Sequence, residues 1–445
     1  MRGNAGRNSG LSLGVCGGII GRGMSGLSEF VSKWKGRRFL ISLPLFSVLL
    51  FMSILLWGCA KSTLEGPHQI VIWHTLHPDE QEMFVQILKE YTDRNPGIKV
   101  TALYKETETL RSGFQIAAIG GAGPDIVWGP SDQVGPFEAM QIIMPLDTLF
   151  SKAYLSKFDP RALVYSHGHL YSIADKIGNH LMLIYNKSIM HDPPKTMDEL
   201  ITYGQKFERD RGGYALVWNY TEPYFFIPFL TGYGGWVMDS LDNPTLNTPA
   251  MVNALKFIKD LRDKYKIIPK SCDYETADAL FKEGKAAMII NGPWSFGSYK
   301  NASLDFGVTR IPFITETGNW PAPMVSPMGY SINASIPSWK IPEVVKLIKF
   351  LLSPEIQAEF TRRFDTIPTR TEVYDDPSVQ QNRIVKESEY QMEVGRPMPI
   401  VAELRAIWDA MRPSYQAVLG GTESPEQAAK EMQKNAIEKI REMNE

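Results

Sequence analysis

Residues 69–104 read QIVIWHTLHPDEQEMFVQILKEYTDRNPGIKVTALY. Gln69-Ile70-Val71-Ile72-Trp73 is a compact apolar run suited to a buried strand, and Met83, Phe84, Ile87, Leu88 and Tyr91 recur at helical spacing behind Pro78-Asp79. Asn95-Pro96-Gly97 ends that helix, after which Ile98, Val100, Ala102 and Tyr104 alternate as a strand does. A second helical stretch covers 106–119, and Ile126-Val127-Trp128 returns to strand character. The order β-α-β-α-β predicts parallel strands with helices on the sheet faces.

Toward the C-terminus, helical spacing recurs at Met251, Leu255, Ile258, Leu261 and Tyr265, at Val344, Val345, Ile348, Leu351 and Leu352, and across 425–442. Ser353-Pro354-Glu355 reads as a cap with proline at the first helical position. No internal repeat or heptad pattern is present, and Pro and Gly are spread so evenly that no linker divides the chain into sequential domains. A chain of 445 residues with 44% hydrophobic content supports two or three units. Two lobes built from interleaved segments fit both observations. The formal net charge of -2 supplies no positive field for phosphate backbones, so nucleic acid is not an expected partner.

Toward the N-terminus, basic Lys33, Lys35, Arg37 and Arg38 precede an apolar run over 39–57, the order of an export signal. The run ends in Leu56-Trp57-Gly58-Cys59, which resembles the bacterial lipobox and makes Cys59 the candidate lipidated residue. The other reading is an uncleaved transmembrane helix, for which the run is long enough. Basic residues ahead of the run place that side in the cytoplasm, so both readings export everything after Cys59. Residues 1–58 are then a leader, with Met24 an internal candidate start, and 59–67 a tether. Of the cysteines, Cys16 falls in the leader and Cys59 carries lipid, which leaves Cys272 without a disulfide partner and as a buried filler.

Several motifs occur in one order along the mature region: Gly123-Pro124-Asp125-Ile126-Val127, Leu183-Ile184-Tyr185-Asn186-Lys187, Pro193-Pro194-Lys195-Thr196, Glu222-Pro223-Tyr224, Asn291-Gly292-Pro293-Trp294, and Trp408 with Arg412. Together, over about 69–445, they resemble the maltose/maltodextrin-binding proteins among the family 1 extracellular solute-binding proteins of ABC transporters. The resemblance implies an α/β, two-lobed periplasmic-binding-protein-like fold, with lobes interleaved in sequence and a hinge and ligand cleft between them. It implies a first lobe of 68–178 and 330–376 and a second of 179–329 and 377–445. It also implies a monomer without cofactor or metal that captures an α-glucoside such as a maltodextrin or trehalose and delivers it to ABC permease subunits.

A sugar presents C–H-rich faces and hydroxyl-rich edges, so its site needs aromatic planes together with carboxylates, amides or guanidinium groups. By resemblance, Tyr224, Trp294 and Trp408 are the stacking planes. Asp132, Glu222 and Arg412 are the charged hydroxyl partners, and Met398 is an adaptable apolar contact. Trp73, Trp218, Trp236, Trp320 and Trp339 are expected to pack in cores. Trp128 precedes the position, here Gly129, where the family places a stacking tryptophan, so cleft and core readings both stand.

The chain departs from the family at His77-Pro78, Thr75, Gln133 and Asn179, where an Asp-Lys pair, an amide, an arginine and a glutamate are usual. His74, His77, Tyr104, Gln133 and Asn179 are candidate replacements. Losing a buried hydroxyl partner costs about 1–3 kcal/mol, enough to change which sugar is preferred. Two readings from other classes remain: an exported glycoside hydrolase using Asp132 and Glu222 as an acid/base pair, and a sensory lipoprotein whose cleft signals rather than supplies a permease. His167-Gly168-His169 lacks further ligands at zinc spacing and reads as a surface turn. Gly120-Gly121-Ala122-Gly123 lacks the Lys-Ser/Thr of a P-loop.

Overall fold

The computed structural model of the protein describes residues 68–444. The leader, the tether and with it the lipidation candidate Cys59 lie outside the described residues. Among the described residues no helix is long and apolar enough to cross a membrane.

The opening segment forms β1 (His68–His74), a helix over Pro78–Arg94, β2 (Ile98–Tyr104), a helix over Thr107–Ile119 and β3 (Ile126–Pro130). β1 pairs in parallel with both β2 and β3, as the β-α-β-α-β order predicts. The first helix starts at Pro78, which supplies a fixed φ, and ends at Asn95 before Pro96. It buries Met83, Phe84, Ile87, Leu88 and Tyr91, together with one charged residue, Glu80.

β4 (Leu163–Ser166) and β5 (His169–Ile177) follow in the same sheet. The chain then leaves to build β6 (Met182–Asn186), β7 (Tyr214–Val217), β8 (Ala286–Asn291) and β9 (Phe306–Thr309), a second sheet ordered β7-β8-β6-β9. It returns through β10 (Met324–Val325) to place β11 (Met328–Ile332) and β12 (Ile367–Pro368) in the first sheet, whose main path runs β12-β5-β11-β3-β1-β2. β13 (Arg396–Pro397) pairs with β10, and the helices Glu403–Gly420 and Pro425–Asn444 end the described chain.

Each sheet has its own apolar core. Ile70, Ile72, Ile126, Ile173 and Ile332 anchor the first. Met182, Ile184, Trp218, Phe229, Met288 and Met411 anchor the second. These separate cores make the molecule two-lobed. β6 and β8 are buried along their whole length, the pattern of strands covered on both faces. Cys272 is buried in the second core, where desolvation pushes its thiol up to about 12. Trp218 is fully buried, but Trp339 is 56% exposed and rests against His68, which corrects its assignment to a core. Ser353 caps the helix Pro354–Phe364 through backbone conformation alone, with no side-chain cap bond.

The passage from β5 to β6 turns on two consecutive residues with positive φ, Gly178 at 116° and Asn179 at 37°. Gly178 tolerates that region without a Cβ penalty. The returning chain is tied to it: Ser326 N donates to Gly178 O at 3.0 Å, and Asn179 Nδ2 donates to Ser326 Oγ at 3.2 Å. Beside them His180 is buried, with Nε2 donating to Ser388 O at 2.9 Å, and desolvation pulls its pKa down to about 4.

A buried carboxylate, Asp125, and a half-buried one, Asp175, organise the first sheet. Asp125, from the Gly123-Pro124-Asp125 motif, accepts from Val71 N at 2.7 Å and pairs with Lys340 at 2.7 Å, joining β1, the start of β3 and the entry to the helix Ile341–Leu351. Asp175 on β5 accepts from Trp128 Nε1 at 3.0 Å and from Tyr330 OH at 3.1 Å. Desolvation pushes its pKa up to about 6, against the pull of Lys176 and those two donors.

Truncating one partner of a buried ion pair strands the other, so Asp125→Ala is expected to cost about 3 kcal/mol in urea unfolding. A loss below a few tenths of a kcal/mol would remove the Lys340 pair from the fold's supports. Because the folded pKa of Asp175 lies above its unfolded value, its contribution to stability is present at low pH and lost as pH rises through about 6. Relative to Asp175→Asn, the native chain is therefore expected to gain about 1 kcal/mol when pH falls from about 7 to about 5. Parallel unfolding curves for the two proteins across that range would contradict this.

Candidate ligand-binding cleft

The carboxyl ends of strands from both sheets converge on one cavity of about 590 Å³ between the cores. From the first sheet come Thr75 and His77 after β1, Tyr104 and Glu106 at the end of β2, Trp128, Pro130 and Asp132 along and beyond β3, and Lys176 near the end of β5. From the second come Asn219 and Glu222 after β7, and Pro293 and Trp294 after β8. Open α/β sheets place ligands in this position, because strand ends leave backbone groups and turn residues facing solvent.

Three single 3-10 turns aim the site residues. Ser131–Gln133 presents Asp132, Pro223–Phe226 presents Tyr224, and Pro293–Ser295 presents Trp294. The last two carry proline at the first turn position, which fixes φ at entry. The rings of Tyr224 and Trp294 lie 6.4 Å apart at 47°, two planes of one wall. Tyr224 OH donates to Asn179 O, fixing that ring to the interlobe passage. Burial raises the phenol far above its ordinary value, so it acts as a hydroxyl throughout the physiological range. Trp408 and Met398 also border the cavity while belonging to the second core, with exposures of 7% and 8%.

Asp132 and Glu222 are each held by a guanidinium group. Arg111 Nη2 donates to Asp132 at 2.5 Å, and Arg412 reaches Glu222 through Nε at 3.1 Å and Nη2 at 3.0 Å. Burial works against both arginine charges, but the adjacent carboxylates outweigh it and raise both pKa values. Aromatic planes beside fixed charged donors and acceptors suit a ligand with apolar faces and polar edges.

The sequence-predicted residues divide. Asp132, Glu222, Tyr224, Trp294, Met398, Trp408 and Arg412 all border the cavity, and so do Trp128, His77, Asn179, Tyr104 and Thr75. Trp128 meets both of its readings, since it is 1% exposed within the first core and still bounds the cavity, with Lys176 Nζ 5.0 Å from its ring centroid. Gln133 does not reach the main cavity. Its amide lies 2.9 Å from where a Cβ on Gly129 would stand, so it fills the space beside that glycine and borders a smaller cavity instead. His74 is also turned away. It is buried against Phe84, with Nδ1 accepting from Leu76 N at 3.3 Å, and desolvation lowers its pKa to about 4.

Sequence reading missed Arg111, Glu80 and Lys176. A signal was present for two of them. Glu80 sits three residues before Met83 and four before Phe84, and Arg111 three before Phe114, so each is a charge on the apolar stripe of an amphipathic helix. Lys176 pairs with Glu80 across 96 positions of sequence, which no local pattern announces. His167 and His169 flank a turn and face Glu138 and Asp147 separately. No group of three or more potential metal ligands occurs among the described residues.

Comparison with known proteins gives concordant matches. A maltose/maltodextrin-binding domain from Bdellovibrio bacteriovorus, solved with maltotriose, is 46% identical, covers 84% of this chain and 100% of its own, and superposes with a TM-score of 0.81. A maltotriose-binding protein of Thermus thermophilus, also solved with maltotriose, is 25% identical with a TM-score of 0.77, over 83% of this chain and all of its own. Among curated relatives, the maltotriose-binding protein of Pyrococcus abyssi is 27% identical over 80% of this chain and 78% of its own length. A maltooligosaccharide ABC transporter solute-binding lipoprotein of Streptococcus pneumoniae is 25% identical over 86% and 93%. The family model for bacterial extracellular solute-binding proteins matches residues 86–387, which includes cleft strands of both sheets from β2 through β8, and the chain belongs to that family.

Proposed function

We propose that this chain captures an oligosaccharide of the α-glucoside class, maltodextrin-like or trehalose-like, between its two lobes and delivers it to the permease subunits of an ABC importer. The observation that carries the reading is the single cavity in which Tyr224, Trp294 and Trp408 stand beside Asp132 and Glu222, contributed by opposite lobes. A pyranose ring lies flat on an aromatic plane while its hydroxyls reach fixed charged groups, and only a ligand touching both lobes stabilises their approach. The maltotriose-binding relatives support the same sugar class. The pneumococcal relative supports the transporter partner and, with Gly58-Cys59, a lipid anchor on Cys59 that holds a monomeric protein on the outer side of the membrane.

The hydrolase reading is set aside in favour of binding without turnover. Arg412 engages both carboxylate oxygens of Glu222, leaving it poorly placed to pass a proton to a glycosidic oxygen.

Calorimetric titration with maltose, maltotriose, trehalose and cellobiose is expected to show binding confined to the α-glucosides. Trp294→Ala, and Trp408→Phe or Trp408→Ala, should each weaken it by about tenfold or more, about 1.4 kcal/mol, with unfolding still cooperative. Affinities unchanged in both positions would return the two indoles to a packing role. Release of reducing sugar from maltodextrin by the native protein would replace binding by hydrolysis. Cys59→Ser is expected to abolish metabolic labelling with a radioactive fatty acid, and a variant that still takes up label would exclude the anchor.

A further inference from the structure

Seven charged side chains alternate in sign from one wall of the cleft to the other. Asp132 pairs with Arg111 at 2.5 Å, and Arg111 with Glu108 at 3.3 Å. Glu108 pairs with Arg405, which lies 3.4 Å from Asp409. Asp409 pairs with Arg412 at 3.1 Å, and Arg412 with Glu222 at 3.0 Å. The first three residues belong to the first lobe and the last four to the second, so the series crosses between lobes at one link, Glu108 to Arg405.

We propose that Glu108 and Arg405 are positioning residues. Their ion pair is a catch that closes when the lobes approach and holds Asp132 and Glu222 in register for one ligand. The inference rests on the reading that the cleft binds an oligosaccharide.

Three observations carry it. Arg405 stands in the first turn of the helix Glu403–Gly420, where the helix dipole disfavours a cation, so its placement does not serve that helix. Its partner Glu108 stands in the first turn of the helix Thr107–Ile119, and the two helix starts meet with opposite charges. Both residues, with Arg111, Asp132 and Trp408, border the main cavity and also a side cavity of about 300 Å³, so the pair stands on the partition between the two spaces. Among the described residues the other interlobe ion pair, Lys300 with Asp365 at 2.6 Å, borders neither cavity.

Exposure sets the strength of the catch. The side chains of Glu108 and Arg405 are 45% and 36% exposed, a setting in which an ion pair is weak and breaks readily. A reversible contact is what opening and closing require. Its first-lobe end is firmer, since Asp132 and Arg111 are 7% and 14% exposed, and at the other end Arg412 engages both carboxylate oxygens of Glu222. Breaking the central link therefore leaves each carboxylate with its own arginine and removes only their mutual alignment.

The test measures maltotriose affinity and dissociation rate for the native protein, Glu108→Gln, Arg405→Gln and the double variant. Each single change is expected to weaken binding about two- to fivefold, mainly through faster dissociation, and the double variant is expected to be no weaker than either single. Small-angle scattering of the ligand-free variants is expected to show a more open molecule, with thermal unfolding unchanged. Added salt should weaken the native protein's binding more steeply than the double variant's. Additive losses would mean that each side chain touches sugar on its own, and unchanged single variants would mean that the link holds nothing; either overturns the catch alone. A native protein that binds none of the α-glucosides overturns the functional reading, and the catch with it.

Discussion

Everything in this molecule depends on two apolar cores that do not merge. A sheet is satisfied along its length by its neighbours, but at the carboxyl ends of its strands the backbone and the following turn must find polar company. When two sheets point those ends at each other, the space between them cannot be filled with aliphatic side chains. It becomes a polar cavity edged by whatever the turns present. Asp132, Glu222, Tyr224 and Trp294 are all turn residues a few positions beyond a strand. Their chemistry is free to vary because none of them is needed to build the sheet that aims it.

The aromatic residues show how one residue serves a core and a cleft together. Trp128 is almost wholly buried, and its indole nitrogen is committed to Asp175. The ring is thus clamped from behind by a carboxylate and has Lys176 beside its face. Such a ring loses no rotamer freedom when a ligand arrives, which removes an ordering cost from binding. Trp408 has the same double membership in the second lobe. Asp175 bears the cost of this rigidity, since desolvation raises its pKa toward neutrality.

How far the sequence spoke depended on whether a feature was local. β1, its following helix and β2 were legible because their periodicity is strong and their caps use proline and asparagine in ordinary ways. The parallel pairing followed from connection rules rather than from any residue. The single-turn 3-10 segments were invisible to periodicity, which needs several turns to register, and only the motifs Glu222-Pro223-Tyr224 and Asn291-Gly292-Pro293-Trp294 pointed to them. Gln133 misled because a position shared with a family does not fix where a side chain points. With glycine at 129, a vacancy opens next to β3, and the nearest flexible amide enters it. Arg111 and Glu80 were readable in principle as charges on apolar helix faces, whereas the pairing of Lys176 with Glu80 exists only in three dimensions.

Closure of such a molecule is a matter of difference. A ligand that touched only Trp294 and Tyr224 would bind the open and closed forms equally and would shift nothing, however tightly it stacked. Under the proposed function, the contacts that select the closed form are those from the other lobe, where Asp132 and its neighbours on the first sheet line the cavity. On the same reading, stacking on the second lobe would hold a sugar in either form, and hydrogen bonding to the first would favour the closed one. The departures from family pattern at Thr75, His77 and Gln133 follow strands of the first sheet and that at Asn179 lies in the passage between the sheets, while Glu222, Tyr224, Trp294, Trp408 and Arg412 beside the second sheet match the family's motifs.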